Sequence, residues 1–130
     1  MRILVVDDNA LVRRGVIDIL ASRKSWEVCA EAQDGAEALQ KARDSRPDVI
    51  LLDISMPGMN GLEVARAVRQ ELNDAKILIL SQHDAASLLP SAIQAGANGC
   101  VDKSRLGTDL LSSIEAVAGT AQVRGIADSD

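Results

Sequence analysis

The sequence predicts an α/β domain in which one parallel sheet carries helices on both faces. Three observations carry that expectation. Short aliphatic runs recur at about the spacing of one βα unit, helical periods of apolar residues fill the gaps, and 130 residues is the length of one domain. The runs are Ile3–Val6, Val28–Ala30, Val49–Leu52, Ile77–Leu80 and Gly99–Val101. Four are nearly unbroken apolar stretches, as strands buried on both faces of a parallel sheet must be. The second has Glu27 and Glu31 about Cys29, which places it nearer an edge.

The helices follow in order. Leu11, Val12, Val16, Ile19 and Leu20 form an apolar stripe, with Arg13, Arg14 and Asp18 on the wet face. Ala36, Ala38, Leu39 and Ala42 form a second stripe after Asp34-Gly35. Leu62, Val64, Ala65, Val68 and Leu72 form a third, opened by Asn60-Gly61 as cap and turn. The fourth helix lies between Asp84 and Gly96 and contains Pro90. Proline has no N–H, and its ring clashes with the carbonyl four residues back, at a cost of about 3 kcal/mol in a helix interior. That conflict predicts a helix beginning no earlier than Ser87, with Ser87 as N-cap and Asp84–Ala86 as loop. Leu110, Leu111, Ile114, Val117 and Ala118 form the last stripe.

Strand and helix thus alternate five times. The pattern is that of a (βα)5 three-layer sandwich with right-handed crossovers, which a flavodoxin-like strand order of 2-1-3-4-5 would suit. After Ala118 no apolar period is sustained. Residues 1–118 therefore read as the domain and 119–130 as a tail or the start of a linker.

Composition narrows the function classes. A net charge of −5 disfavours this stretch as a DNA-binding element. No apolar run approaches the roughly 20 residues of a membrane span. The first residues turn acidic too soon for a signal peptide, so a cytoplasmic location is expected. Cys29 and Cys100 lack metal-ligand spacing and one His cannot complete a zinc site, so both thiols read as reduced, small hydrophobes within strands. Trp26 is the single aromatic residue, expected to cover an edge of an aliphatic core.

In open parallel sheets function gathers at the carboxyl ends of the strands. Those ends carry Asp7-Asp8, Asp53, Ser81 and Lys103. Any one of them alone is ordinary turn, cap or surface chemistry. Together they bring three carboxylates, a hydroxyl and an ammonium to one crevice. Carboxylates so crowded need a cation, and an all-oxygen set with room for water suits Mg²⁺ better than zinc. An acidic cluster facing a Lys and a hydroxyl suits a metal-bridged phosphoryl group.

These residues resemble a known family. Val5-Val6-Asp7-Asp8-Asn9, Leu51-Leu52-Asp53 through Pro57-Gly58-Met59-Asn60-Gly61, Ile79-Leu80-Ser81 and Val101-Asp102-Lys103 are similar to the motifs of two-component response-regulator receiver domains. The stretch Leu78–His83, the run Ala95–Gly99 and Lys103-Ser104 resemble most the receivers that head LuxR-type helix-turn-helix regulators. The resemblance implies that Asp53 is the phospho-acceptor. Asp8 and Asp53 would hold Mg²⁺ with the main-chain carbonyl of Ser55, and Asp7 would act largely through water. Ser81 and Lys103 would each engage a phosphoryl oxygen. The phosphodonor would be a phosphohistidine on a sensor histidine kinase. DNA would be reached only through an output domain outside this sequence. A phosphorylation-linked homodimer would form through helices 1 and 5, or through helix 4, strand 5 and helix 5.

Two positions depart from the family pattern. Cys100 stands where many receivers carry a switching Tyr or Phe, and Ser104 stands where many carry a Pro in a cis peptide. His83, two residues past Ser81, is placed equally well to tune water attack on an acyl phosphate or to be a plain loop histidine. Rival readings are a stand-alone receiver, an aspartyl phosphatase, a flavodoxin and an unphosphorylated interaction module. The phosphatase commonly has a second Asp where this chain has Ser55. The flavodoxin has hydroxyls, not acids, after strand 1. Retention of all five site residues argues against the last.

Overall fold

Five parallel strands form one sheet in the computed structural model: β1 (Arg2–Val6), β2 (Glu27–Ala32), β3 (Val49–Asp53), β4 (Lys76–Ser81) and β5 (Gly99–Asp102). Their order is β2-β1-β3-β4-β5, the flavodoxin-like arrangement the alternation suggested. The helices are α1 (Ala10–Leu20), α2 (Gly35–Ser45), α3 (Gly61–Glu71), α4 (Ala85–Gln94) and α5 (Leu106–Ser129), with a 3₁₀ turn at Lys103–Arg105. Residues 1–129 are described apart from Pro57 and His83, with side chains described through residue 119. The reading of His83 therefore lies outside the described residues, while across residues 119–130 the backbone of α5 continues to Ser129.

Period-2 alternation on the strands makes the three layers. Ile3 and Val5 of β1 join Val16, Leu20, Leu110 and Ile114 in a cluster under α1 and α5. Leu4 and Val6 join Ala38, Ala42, Val64, Val68 and Ala92 in a cluster under α2, α3 and α4. Trp26 lies half-buried against the first cluster, with the Arg23 guanidinium 5.6 Å from its ring centroid. It covers the core edge, as expected. Among the described residues no helix is long and apolar enough to cross a membrane.

Three expectations need correction. Leu11 faces solvent, 83% exposed, because Asn9 caps α1 by accepting from the N–H groups of Leu11 and Val12. The helix thus starts at Ala10, and its second position turns away from the sheet. Arg13 is no wet-face residue, as its contacts below show.

The third correction is α4, which begins at Ala85 and not at Ser87. Asp84 is the cap: its Oδ1 accepts the Ala86 N–H at 3.0 Å and its Oδ2 the Ser87 hydroxyl at 3.0 Å. The Leu88 N–H closes the first turn on the Asp84 carbonyl at 3.3 Å. Pro90 then falls inside the helix and leaves the Ala86 carbonyl without its helical donor. Both residues are exposed, so that carbonyl opens to solvent and the penalty stays small enough for the cap to win. The connection from Ser81 to the helix is correspondingly shorter than expected.

Candidate functional site

All four predicted strand ends reach the same edge of the sheet. β1 ends at Val6, and Asp7 continues its line with its N–H on the Ala32 carbonyl at 3.0 Å. The chain then turns at Asp8, because the Asn9 N–H closes on Asp7 Oδ1 at 2.8 Å before Asn9 caps α1. Asp53 is the last residue of β3 and Ser81 the last of β4. Lys103 directly follows β5 in the 3₁₀ turn, which Asp102 caps by accepting the Ser104 N–H at 2.9 Å and its hydroxyl at 2.7 Å. No peptide bond among the described residues is cis, so Lys103 is placed without one.

Asp7, Asp53 and Ser81 are buried, at 0%, 1% and 2% exposure, whereas Asp8 is exposed. One carboxylate oxygen from each of Asp7, Asp8 and Asp53 lies within 4.8 Å of the others. Lys103 Nζ stands 2.9 Å from Asp7 Oδ2 and 2.9 Å from Asp53 Oδ1. The Asp7 contact is ionic alone, since that buried oxygen receives no hydrogen bond of acceptable geometry. Asp53 Oδ1 also accepts the Ser55 N–H at 3.2 Å. Ser81 is backbone-paired with Asp102 across the β4–β5 ladder, which fixes it one strand away from Lys103.

The electrostatics follow from this crowding. Burial drives the Asp53 carboxyl above its ordinary pKa. The Lys103 bond opposes that rise and the Asp7 charge adds to it. Burial alone would depress the Lys103 ammonium, but its contacts with Asp53 and Asp7 outweigh that and raise it. Cys100, half-buried on the α4 side of the sheet, has its thiol pushed up to about 11 by burial. Cys29 is half-buried too, its Sγ 3.5 Å from the Ile3 carbonyl oxygen. Each behaves as a small hydrophobe.

The acidic cluster fits a hard divalent cation. Three carboxylates converge, one is solvent-facing, and a buried Asp7 oxygen lacks a hydrogen-bond donor. An all-oxygen set open to water on one side is the Mg²⁺ pattern. A shallow cleft of about 660 Å³ beside Asp8, lined by Gln33, Asp34, Gly58 and Met59, gives access. The larger cleft, about 750 Å³, lies at the amino end of the sheet beside Asp48, Asn73 and Lys76, away from the carboxylates.

Two contributors escape sequence reasoning. Gly61 is more than a turn residue: its N–H bonds the Ile54 carbonyl at 2.9 Å, and a Cβ there would meet the Asp53 carbonyl and come within 2.8 Å of Ile54 Cα. Only glycine lets α3 start against the backbone of Asp53. The second is Arg13, whose Nη1 donates to the Asp7 carbonyl at 2.6 Å while Nε pairs with Glu31 at 3.1 Å. Its sequence signal is weak: a basic residue four positions after a helix cap, with an acid at the end of a neighbouring strand.

The family model described as "Response regulator receiver domain" matches residues 3–115. The probable transcriptional regulatory protein NarL of Mycobacterium tuberculosis is 40% identical over 114 residues, covering 88% of this chain and 53% of that protein. The response regulator UvrY of Escherichia coli is 38% identical over 117 residues, covering 90% and 54%. This chain spans about half the length of these curated relatives. Among solved structures, a LuxR-family two-component response regulator from Aurantimonas superposes with a TM-score of 0.85 at 39% identity, covering 91% of this chain and 85% of that one. The NarL receiver domain of M. tuberculosis gives 0.83 at 40% identity, covering 91% and 95%. The family match and the relatives agree: the chain belongs to the response-regulator receiver domains of two-component signalling and is related to transcriptional regulators.

Proposed function

We propose that Asp53 accepts a phosphoryl group from the phosphohistidine of a sensor histidine kinase. The observation that carries this reading is the buried Asp53 carboxylate held 2.9 Å from Lys103, with Asp7 and Asp8 beside it. An Asp53 oxygen attacks phosphorus, the P–N bond to the donor imidazole breaks, and an acyl phosphate forms. Ser81 donates its hydroxyl to one phosphoryl oxygen, and Lys103 exchanges its Asp53 contact for another. Asp8, Asp53 and the main-chain carbonyl of Ser55 would hold Mg²⁺, with Asp7 acting through water. When bound, the ion supplies positive charge against the carboxylates and the phosphoryl oxygens. Catalysis by the chain itself is positioning and charge neutralisation.

The wider setting belongs to the same proposal. Residues 1–118 act as the phosphorylated domain and 119–130 lead toward an output domain that binds DNA. The protein works in the cytoplasm, and phosphorylation shifts a monomer–dimer equilibrium toward dimer. Incubation with acetyl phosphate and Mg²⁺, read by intact mass, tests the core of the reading. One added phosphoryl group is expected for the wild type and none for Asp53→Asn. Equal labelling of both proteins would overturn it.

A further inference from the structure

The carbonyl of Asp7 is held from outside the acidic cluster. Arg13 reaches back from the first turn of α1 and donates Nη1 to that carbonyl at 2.6 Å, the shorter of its two side-chain bonds. Its Nε is fixed in turn by Glu31 of β2, 3.1 Å away. The Arg13 side chain is only 18% exposed, so this is no loosely solvated surface pair. The guanidinium therefore ties three elements, β1, α1 and β2, at the peptide that joins Asp7 to Asp8. We infer that Arg13 is a positioning residue for the cation-holding Asp7-Asp8 turn, acting through the Asp7 carbonyl and itself oriented by Glu31.

The inference rests on the proposed Mg²⁺ site and adds a residue to it. Its physical content is a sign. A guanidinium is a positive charge, and if it acted on the site only by charge, its removal would tighten binding of a cation. If it acts by holding the turn, removal weakens binding, because Asp8 has no hydrogen bond of its own among the described residues. Partners that orient metal ligands are typically worth about tenfold or more in metal affinity. A planar fork can hold carbonyl and carboxylate at once, which an ammonium at the end of a flexible stem does poorly.

The experiment is Mg²⁺ titration of the full chain by calorimetry, with folding of each variant checked by circular dichroism. Arg13→Ala is expected to weaken binding about tenfold. Glu31→Ala should weaken it less, and the double variant no more than Arg13→Ala alone, since Glu31 acts only through Arg13. Unchanged or tighter binding by a folded Arg13→Ala protein overturns the inference. If that variant does not fold, Arg13→Lys decides, because it keeps the charge and loses the fork: weaker binding supports positioning, and wild-type affinity overturns it. A wild-type protein that neither binds Mg²⁺ nor takes a phosphoryl group overturns the site reading itself, whereas a wild type that does both isolates the test to Arg13.

Discussion

Asp8→Asn should stabilise the metal-free protein. One Asp8 oxygen lies within 4.8 Å of oxygens of both Asp7 and Asp53, and Lys103 pairs with those two residues and not with Asp8. The two buried carboxylates and one ammonium leave a net charge of −1 facing Asp8. At that separation two like charges repel by about 0.9 kcal/mol in bulk water and about 3.5 kcal/mol at an effective dielectric of 20. Asp8 is exposed, so the lower figure governs, with further screening by salt. Asparagine keeps the size and removes the charge, for an expected gain of about 1 kcal/mol, or roughly 4 °C in a domain of this size. Urea unfolding in EDTA should show a higher midpoint with the same slope. Magnesium reverses the comparison. In the wild type each tenfold rise in free Mg²⁺ above the dissociation constant adds about 1.4 kcal/mol, and the variant should gain far less. An Asp8→Asn protein less stable than wild type in EDTA, or equally stabilised by Mg²⁺, would refute this reasoning.

Gly61→Ala forces a Cβ against the backbone of Asp53 and Ile54, so a loss of about 1–3 kcal/mol is expected in urea unfolding, with slower labelling by acetyl phosphate. Wild-type behaviour in both would show that α3 can retreat. Pro90→Ala restores a donor to the Ala86 carbonyl, and after the entropy returned to the unfolded chain a gain of about 1–2 kcal/mol remains. A loss of stability would mean the proline shapes α4. Asp53 supplies a pH test. Its carboxyl is raised above 3.8, first by burial, so between 3.8 and its folded value the native state binds more protons than the unfolded state. Stability from this group is therefore lost as pH rises through that window. The difference between Asp53→Asn and wild type, by urea midpoints in EDTA, should move in favour of Asn as pH rises. A pH-independent difference would count against the shift.

Much of this site is legible in the sequence, for a geometric reason. A parallel sheet puts every strand's carboxyl end on one edge, so the residue after each aliphatic run is a site candidate before any contact is known. Asp7, Asp53, Ser81 and Lys103 are found that way. Local chemistry is equally legible where it closes within a few residues, as in the Asn60–Glu63 capping box that starts α3. Arg13 is not legible, because its meaning depends on Glu31 lying across the turn, 18 residues away in the chain. The start of α4 is not legible, because proline carries its full penalty only in a buried helix interior and here Pro90 and Ala86 are both exposed. Leu11 follows the helical period but sits in the first turn, where the cap at Asn9 and not the stripe sets direction.

The charge arithmetic of the crevice bears on why the site has this composition. Asp7, Asp8 and Asp53 against Lys103 leave −2 in a place where two of the acids are almost wholly buried. A chain shaped for stability alone would fill it with aliphatic side chains, which replace buried ion pairs at no cost or better. On the proposed function, an incoming phosphoryl group would add more negative charge, which a cation beside the carboxylates would offset. Lys103 alone is too little, being already shared between two of them. On the proposed function, anion acceptance here would be conditional on a divalent ion, and this condition would not need an aromatic residue at the position of Cys100. A phosphorylation signal from the proposed site would then pass through what surrounds Ser81. That residue is three positions from the Asp84 cap of α4, while the far end of α4 is fixed by Arg69, which donates to the Gly96 carbonyl at 2.9 and 3.0 Å and to Asn98 Oδ1 at 3.1 Å. With its carboxyl end tied and Ala92 its one buried residue, α4 is held more firmly at Gly96 than at Asp84. A change at Ser81 thus meets the weaker end of the helix first.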